Sequence, residues 1–191
     1  DVHAFDANGL VVHNCGEQPL PSYGCCDLGP VILTRFVRHP FGRDGEASFD
    51  FAAFEQVVAL QVRALDNVLD LTWWPLPQQD EESKSKRRIG VGFTGMGNTL
   101  TLLNLRYDSE AGRSMAARIA EAMRDAAYRA SVALAQEKGA FPLFDADGYL
   151  QAGTFASRLP ADIQQAIRQH GIRNSHLLSI APTGTVSLAF A

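Results

Sequence analysis

The sequence has few cysteines and no long hydrophobic run. Three cysteines in 191 residues, two of them adjacent at Cys25 and Cys26, do not make the paired framework of a small secreted domain, so we expect thiols kept for chemistry or packing. No apolar stretch reaches the roughly 18 residues that span a bilayer, and the amino terminus lacks the basic start and apolar run of a signal peptide. These absences favour a cytoplasmic protein with no membrane partner.

Strong charge of either sign is also absent. The formal net charge is −4, and the most basic segment is the short run 84–88, so duplex nucleic acid is a poor candidate partner. His39, His170 and His176 have no cysteine or carboxylate at metal-ligand spacing, so no metal site is predicted. The hydrophobic content of 46% is ordinary for a globular core. Any phosphate that the protein binds is therefore expected on a small molecule.

Hydrophobic spacing and turn residues predict a mixed α/β chain. Asn8-Gly9 predicts a β-hairpin over residues 1–14. Asp50 caps a predicted amphipathic helix that ends near Trp73, and Ser109 caps a long one that extends to Gly139. The remaining predictions are a loop at 16–30, an extended stretch at 31–37, a solvated charged linker at 78–88, a helix near 161–170 and a strand at 177–181.

Both ends lack the features of a natural terminus. The chain begins with Asp1 and stops within the apolar run 186–191, which has no polar tail or turn residue. We therefore expect a piece of a longer reading frame.

Three consecutive residues carry the groups needed to cut a peptide bond without a separate enzyme. The side-chain amide of Asn14 can attack its own carbonyl and cyclise, while His13 can polarise that carbonyl or protonate the departing amine. The thiol of Cys15 can capture an acyl group. Taken alone, the three residues are weak evidence, because such a string is far more often a plain junction between a strand and a loop.

The segment before Cys15 resembles the carboxy-terminal splicing block of inteins. Residues 3–14 are His-Ala-Phe-Asp-Ala-Asn-Gly-Leu-Val-Val-His-Asn, and the usual block is His-x-Phe-x-Ala-Asn-Gly, small apolar residues and His-Asn. The resemblance implies that Asn14 cyclises, that His13 and His3 assist it, and that Cys15 is the first host residue. The amino-terminal splicing block is absent from this sequence, so we expect slow cleavage after Asn14 rather than complete splicing.

Two further patterns suggest a chemical role, but each is weak evidence in isolation. Cys15 and Glu17 can place a hydrogen-atom or nucleophilic donor and a general base on the same side of a substrate, although this spacing is usually structural. A strand that enters Pro-Thr-Gly-Thr-Val-Ser at 182–187 offers backbone N–H groups and hydroxyls to a phosphate, although such a segment is more often only a turn.

The glycines at 90, 92 and 95 match a dinucleotide fingerprint by letter, but the charged residues before them exclude the buried strand that it requires. We interpret them as close backbone packing.

Residues 15–191 resemble the large chain of ribonucleotide reductases. Residues 15–29, Cys-Gly-Glu-Gln-Pro-Leu-Pro-Ser-Tyr-Gly-Cys-Cys-Asp-Leu-Gly, are similar to the active-site finger loop, and segments 87–92, 173–178 and 181–187 follow in the family's order. The short loop and the Pro-Thr-Gly-Thr form favour the adenosylcobalamin-dependent class. The implied fold is α/β: 15–191 is part of a ten-stranded α/β barrel around the finger loop, and the intein hairpin of 1–14 precedes it.

The resemblance also implies a role for each matching residue. Cys15 would carry the thiyl radical that takes the 3′ hydrogen of the ribose, Glu17 would be the general base, and Cys26 would be one half of the reducing dithiol. Cys25 remains an alternative to Cys26, its other interpretation being a small buried hydrophobe. The second cysteine of the dithiol and a catalytic asparagine are expected upstream. The residues implied to bind the substrate phosphates are Thr183, Gly184, Thr185 and Ser187.

The implied cofactor is adenosylcobalamin, bound mainly outside this segment. The implied partners are a ribonucleotide substrate, a thioredoxin-like reductant and deoxynucleotide or ATP effectors, with a homodimer considered for the full-length protein. Three alternatives stay open: a chain that acts only in protein splicing or cleavage, a diiron-class reductase, and a non-enzymatic nucleotide-binding module.

Overall fold

The computed structural model describes residues 4–7, 10–13, 18, 20–180, 186 and 188. Its first two strands, β1 (Ala4–Ala7) and β2 (Leu10–His13), pair antiparallel with Ala7 opposite Leu10. This register leaves two residues between the strands, as expected for a hairpin closed by Asn8-Gly9.

The next strand begins inside the segment predicted to be a loop. β3 (Asp27–Ile32) starts three residues before Pro30, because pairing with a distant strand, described below, overrides the local turn signals. A 3₁₀ turn at Leu33–Phe36 then interrupts the stretch that we expected to be extended. Its three-residue period turns Leu33 and Phe36 towards the same core, where both are buried. The short strands β4 (Val37–Arg38) and β5 (Ser48–Phe49) pair antiparallel after it.

Helix α1 (Phe51–Leu71) follows the predicted amphipathic pattern. The carboxylate of Asp50 accepts a hydrogen bond from the backbone N–H of Ala53 at 3.0 Å, which satisfies one of the free donors of the first turn. The helix ends at Thr72, before the Trp-Trp-Pro segment that was predicted to stop it.

The prediction of a charged linker at 78–88 is wrong, because α2 (Pro77–Lys86) is a helix. Proline occupies its first turn, where a missing N–H costs nothing. Two i,i+4 ion pairs, Asp80 with Lys84 and Glu82 with Lys86, lie at 2.7 Å and 2.6 Å. The charges that suggested a linker therefore pair along a helix.

The rest of the chain contains one more strand, which is followed by helices. β6 (Ile89–Thr94) leads into α3 (Met96–Leu102), and α4 (Glu110–Lys138) begins where the Ser109 hydroxyl accepts from the N–H of Gly112 at 3.1 Å. α5 (Ala146–Tyr149) is a single turn, and α6 (Ala161–His170) matches its predicted range.

Three parallel segments form the sheet that organises the molecule. β3 and β6 pair from Asp27 opposite Ile89 to Ile32 opposite Thr94. On the other side of β6, Val91 forms a parallel bridge with Leu178, its N–H donating to Leu177 O at 2.7 Å. The strand predicted at 177–181 is thus observed as this short pairing, and residue 181 lies outside the described residues.

Of the glycines of the apparent dinucleotide fingerprint, Gly90 and Gly92 lie within β6, and Gly95 is the left-handed N-cap of α3. A Cβ atom at Gly90 would lie 2.5 Å from Leu28 Cδ2 and 2.8 Å from Ser179 Cβ. Side chains of the two neighbouring parallel segments therefore fill the space beside Gly90, which agrees with the interpretation of close packing.

Helix α1 packs on β3 and β6, and α4 packs against α1. Fully buried side chains join the layers: Phe54, Val58, Val62 and Leu69 of α1, Ile89 and Val91 of β6, and Ile119 of α4. Within the described residues, no helix is both long enough and apolar enough to cross a membrane.

Candidate active site

Cys26 and its alternative Cys25 are the candidate catalytic residues whose side chains are described. The other candidates lie outside the described residues, or, for His13, in the described backbone of β2 without a described side chain. Those outside are His3, Asn14, Cys15, Glu17, Thr183, Gly184, Thr185 and Ser187. The structure can therefore show the surroundings of Cys26 and the ends of the segments that flank the other candidates.

Cys26 lies immediately before β3, at the amino end of the sheet. Because Asp27 pairs with Ile89, Cys26 and Arg88 occupy neighbouring register positions on two parallel strands. The Cys26 thiol lies 3.6 Å from the backbone oxygen of Asp27. The Cys25 thiol lies at the same distance from the Tyr23 oxygen, and both cysteines are free and half-buried. The described geometry thus places a thiol beside a guanidinium.

The environment keeps both thiols protonated at neutral pH. Burial raises the pKa of Cys26 to about 12, with Arg88 opposing the shift and Asp27 and Cys25 adding to it. Burial, Asp27 and Glu82 also raise the pKa of Cys25. A neutral thiol retains its S–H bond and is a poor nucleophile, which distinguishes Cys26 from the activated thiolate of a cysteine hydrolase.

Arg88 is the charged group closest in register to Cys26, and sequence inspection did not single it out as a site residue. Only 6% of its surface is exposed. Burial lowers the pKa of Arg88, while Cys26 and Glu82 oppose the shift. On the third parallel segment, His176 has a pKa of about 4, lowered by partial burial and by the charges of Arg88 and Lys86. His176 is therefore neutral at pH 7, with Nδ1 3.0 Å from the Ser175 hydroxyl.

Gln18 is the second site residue that sequence inspection missed. Its side chain is 9% exposed, and its amide nitrogen donates to the backbone oxygens of Ile89 at 3.3 Å and Leu178 at 3.0 Å. The only sequence signal was its place in the Cys-Gly-Glu-Gln string, one residue after Glu17. The side-chain oxygen of Gln18 is buried and has no hydrogen-bond partner among the described residues.

A buried ionic cluster holds the amino ends of the strands on their helical side. Asp66 of α1 is fully buried. It accepts hydrogen bonds from Arg87 at 2.8 Å, from Asn174 at 3.0 Å and from Arg173 at 3.3 Å. Arg87 also binds Asp70 at 2.8 Å. Despite burial, these cations and donors lower the pKa of Asp66, so the carboxylate is charged when the protein is folded.

The cluster explains two of the motif segments in structural terms. Asn174 also donates to the backbone oxygen of Arg87 at 3.1 Å and accepts from the Ser131 hydroxyl at 2.9 Å. The segments 87–92 and 173–178 thus begin with residues that join two strands to α1 and α4. The sequence signal was one aspartate on the apolar face of α1, between Val62 and Leu69.

A cavity of about 1140 Å³ opens between α4, the segment after α5 and the third parallel segment. Apolar and aromatic side chains form much of its wall, among them Phe93, Met123, Tyr128 and Phe155. Gln18 and Ser179 also line it, and the Ser179 hydroxyl has no hydrogen-bond partner among the described residues. The site thus combines an apolar wall with two uncommitted polar groups near the strand ends.

Residues 13–191 match the sequence family described as ribonucleotide reductase, barrel domain. The chain belongs to the ribonucleotide reductase family. This confirms the family resemblance seen in residues 15–191. The matched range begins at His13, so residues 1–12 lie outside it.

Similar members of the ribonucleotide reductase family come from distant organisms. The vitamin B12-dependent ribonucleoside-diphosphate reductase of Mycobacterium tuberculosis is 35% identical over 174 residues, covering 91% of this chain and 22% of the relative. The protein of the same name from Thermoplasma acidophilum is 31% identical, with 91% and 20% covered. The ribonucleoside-diphosphate reductase large chain of Encephalitozoon cuniculi is 29% identical, with 95% and 23% covered. The chain spans about a fifth of the length of these relatives.

Proposed function

We propose that residues 15–191 form part of the catalytic barrel of an adenosylcobalamin-dependent ribonucleotide reductase, which makes deoxyribonucleotides for DNA synthesis. The observation that carries the proposal is the family match over 13–191, and the B12-dependent relatives support the class. Three parallel segments with helix α1 packed on two of them are compatible with an arc of a ten-stranded barrel.

In the proposed chemistry, Cys15 carries a thiyl radical that takes the 3′ hydrogen of the ribose. An S–H bond forms as the C–H bond breaks, and the radical passes to the sugar. Glu17 accepts the proton of the 3′-hydroxyl, which helps the 2′-hydroxyl to leave as water. Cys26 and an upstream cysteine then supply two electrons and two protons, one to the departing hydroxyl and one to C2′, and become a disulfide. Cys15 finally returns its hydrogen to C3′ and regains the radical. The hydroxyls and N–H groups of 183–187 bind the substrate phosphates.

The surroundings of Cys26 support its place in this scheme. A reducing thiol must hold its proton until it is consumed, and a pKa of about 12 keeps Cys26 protonated at neutral pH. When the disulfide is later opened by an external thiol, sulfur leaves as a thiolate, which the neighbouring Arg88 charge stabilises. Cys25, nearer to solvent and further from β6, remains the alternative.

The described residues do not by themselves form a site for the cobalamin. The corrin ring is edged by amide groups that need hydrogen-bond partners, and the cavity wall has few to spare. Tyr149 already donates to Ser175 O at 3.2 Å, and Arg124 already binds Asp125 at 2.7 Å. Gln18 and Ser179 alone are too few to hold the ring. We therefore assign the cofactor mainly to other parts of the protein and derive no step through it.

Ribonucleotide reduction by the full-length protein tests the proposal. Product formation should require adenosylcobalamin, and activity with a separate radical subunit in its absence would instead favour the diiron class. Cys15→Ser should abolish reduction, whereas a nucleotide-binding module would keep its function. Cys26→Ser should abolish nucleotide reduction even in a single turnover while Cys25→Ser retains it, and the opposite result would exchange their roles.

We further propose that residues 1–14 are the end of an intein, with Asn14 as the cyclising residue and His13 and His3 as its assistants. The antiparallel pairing of β1 with β2, which brings the strand ending at His13 back beside Ala4, supports this second function. Mass spectrometry of the expressed chain should show slow loss of residues 1–14. Asn14→Ala should prevent that loss, and an intact mass in both proteins would contradict cleavage.

A further inference from the structure

We propose that Gln18 is a positioning residue, which ties the segment carrying Cys15 and Glu17 to two strands of the sheet and thereby sets the reactivity of both groups. The inference rests on the proposed function, because it concerns the placement of that site's thiol and carboxylate. It assigns a role in the reaction to a side chain that does not itself react.

The two hydrogen bonds of Gln18 are unusual in what they join. Their acceptors, Ile89 O and Leu178 O, lie 71 and 160 residues away along the chain and belong to adjacent parallel segments. A single side-chain amide therefore spans two strands whose relative position is already set by Val91 and Leu178. We use the word anchor for the Gln18 side chain, which has little freedom to move because it is bonded to two paired strands.

The anchor is close in sequence to both proposed reacting groups. One peptide unit separates Gln18 from Glu17 and three separate it from Cys15, at about 3.8 Å per unit. A displacement of about 1 Å in a reacting group can reduce a rate about 100-fold. Loss of the anchor is therefore expected to affect the chemical step more than substrate binding.

The chemistry of the anchor requires a hydrogen-bond donor. Both partners are carbonyl oxygens, which only accept, and the Gln18 amide nitrogen has two N–H groups to offer. A carboxylate of the same shape would face two oxygens and be repelled. A protonated carboxyl group would again donate, to one of them. Gln18→Glu therefore converts the anchor into one that depends on pH.

Gln18 also borders the place where a substrate could lie. It lines the cavity together with Ser179, and its side-chain oxygen points to no described partner. Gln18 thus places the segment that precedes it next to a wall of the cavity.

The experiment uses the full-length protein with adenosylcobalamin and compares wild type, Gln18→Glu, Gln18→Met and the exposed control Gln165→Glu. At pH 8 both Gln18 variants should lose about tenfold to 100-fold in kcat, with KM for the nucleotide changed less than about twofold. As the pH falls from 8 to 6, the ratio of Gln18→Glu to wild-type kcat should rise, since burial raises the pKa of the introduced carboxyl. For Gln18→Met and Gln165→Glu the ratio should stay flat.

A flat ratio for Gln18→Glu, wild-type kcat in Gln18→Met, or a change confined to KM would each overturn the inference. The rate at which iodoacetamide alkylates Cys15, followed by mass spectrometry, separates this inference from the proposed function. If the wild-type protein reduces no nucleotide, the proposed function fails. The labelling rate still tests the anchor, because it should change in both Gln18 variants and stay unchanged in Gln165→Glu. An unchanged rate in all variants would contradict the anchor itself.

Discussion

Arg87 and Arg88 are consecutive, buried and of the same chemistry, yet they occupy opposite electrostatic environments. Arg87 lies in the cluster formed with Asp66 and Asp70, whose hydrogen bonds raise its pKa despite burial. Arg88 faces Cys26 and Glu82, and burial lowers its pKa. Arg87 is the left-handed C-cap of α2, with a φ of 50°, and the chain changes direction there. One arginine therefore meets the aspartates of α1, and the next borders the thiol.

The comparison teaches that the charges of two consecutive arginines are used differently. Around Arg87, the Asp66 carboxylate accepts hydrogen bonds from Arg87, Arg173 and Asn174 and joins the strands to α1. The charge of Arg88 instead acts on the Cys26 thiol and on His176.

Removing Asp66 should produce the largest effect. Asp66→Ala leaves Arg87 and Arg173 buried beside a missing counter-charge, so the free energy of unfolding should fall by about 3 to 5 kcal/mol. Urea denaturation of the full-length protein, monitored by the tryptophans at 73 and 74, would measure it. Asp70→Asn is the matched control, because half-exposed Asp70 should contribute much less. Equal losses in the two variants would remove the distinction between them.

The same cluster predicts how stability depends on pH. The pKa of Asp66 is lowered in the folded protein, so its stabilisation is present at neutral pH and is lost as the pH falls through the folded-state pKa. Stability should therefore decline in acid more steeply in wild type than in Asp66→Asn. Parallel profiles of the two proteins between pH 3 and pH 7, read from the urea midpoint, would show that another group governs the decline.

Removing the charge of Arg88 should change the chemistry of the Cys26 thiol. Arg88 is the one cause that lowers the pKa of Cys26, so Arg88→Gln should raise that pKa further. In a Cys25→Ser background, alkylation of Cys26 by iodoacetamide at pH 9 should slow by up to about tenfold for each unit of increase. Arg88→Lys should restore much of the rate. The groups facing this site that must be held constant are Asp27, Glu82, Lys86 and His176.

The pKa of His176 provides a second, smaller measure of the effect of the Arg88 charge. Its pKa of about 4 reflects partial burial first and then Arg88 and Lys86. Arg88→Gln should raise the pKa of His176 by less than about one unit, since burial remains. NMR titration of the imidazole would detect the change, and Arg63→Gln, remote on α1, should leave it unaltered.

The smallest loss of stability is expected for an ion pair that is exposed to solvent rather than buried. Arg63 and Glu137 form two hydrogen bonds between α1 and α4, the shorter at 2.5 Å, but both side chains are about half-exposed. Arg63→Ala should lower the free energy of unfolding far less than Asp66→Ala, because an exposed ion pair contributes little. A loss comparable to that of Asp66→Ala would show that burial does not separate the two classes of ion pair.

Local patterns in the sequence were sufficient for the helices. Asp50 and Ser109 cap α1 and α4 as predicted, because capping depends on side chains a few residues apart. The segment 77–86 was wrongly predicted to be a linker because it is rich in charge. The i,i+4 spacing of Asp80 and Lys84, which is typical of ion pairs along a helix, was already visible in the sequence. The early start of β3 and the turn at Leu33–Phe36 depend on distant partners and had no local signal.

For the candidate site, the sequence indicated which residue types were present and the family to which they belong. The motif letters led to the ribonucleotide reductase family, which the match over 13–191 confirms. The same letters placed Arg87, Arg173 and Asn174 in motifs without revealing that they surround Asp66. The motif letters also gave no reason to single out Gln18 among its neighbours.

The limits of α1, α4 and α6, the two-residue hairpin turn and the family could be predicted, because each depends on residues that are adjacent or on a pattern of letters. The fold was needed to show which arginine meets Asp66 and which meets Cys26, and that Gln18 bonds to strands 71 and 160 residues away. The physical reason is that burial and charge compensation are properties of a position in space. Residues distant in sequence become neighbours only when the strands pair and the helices cover them.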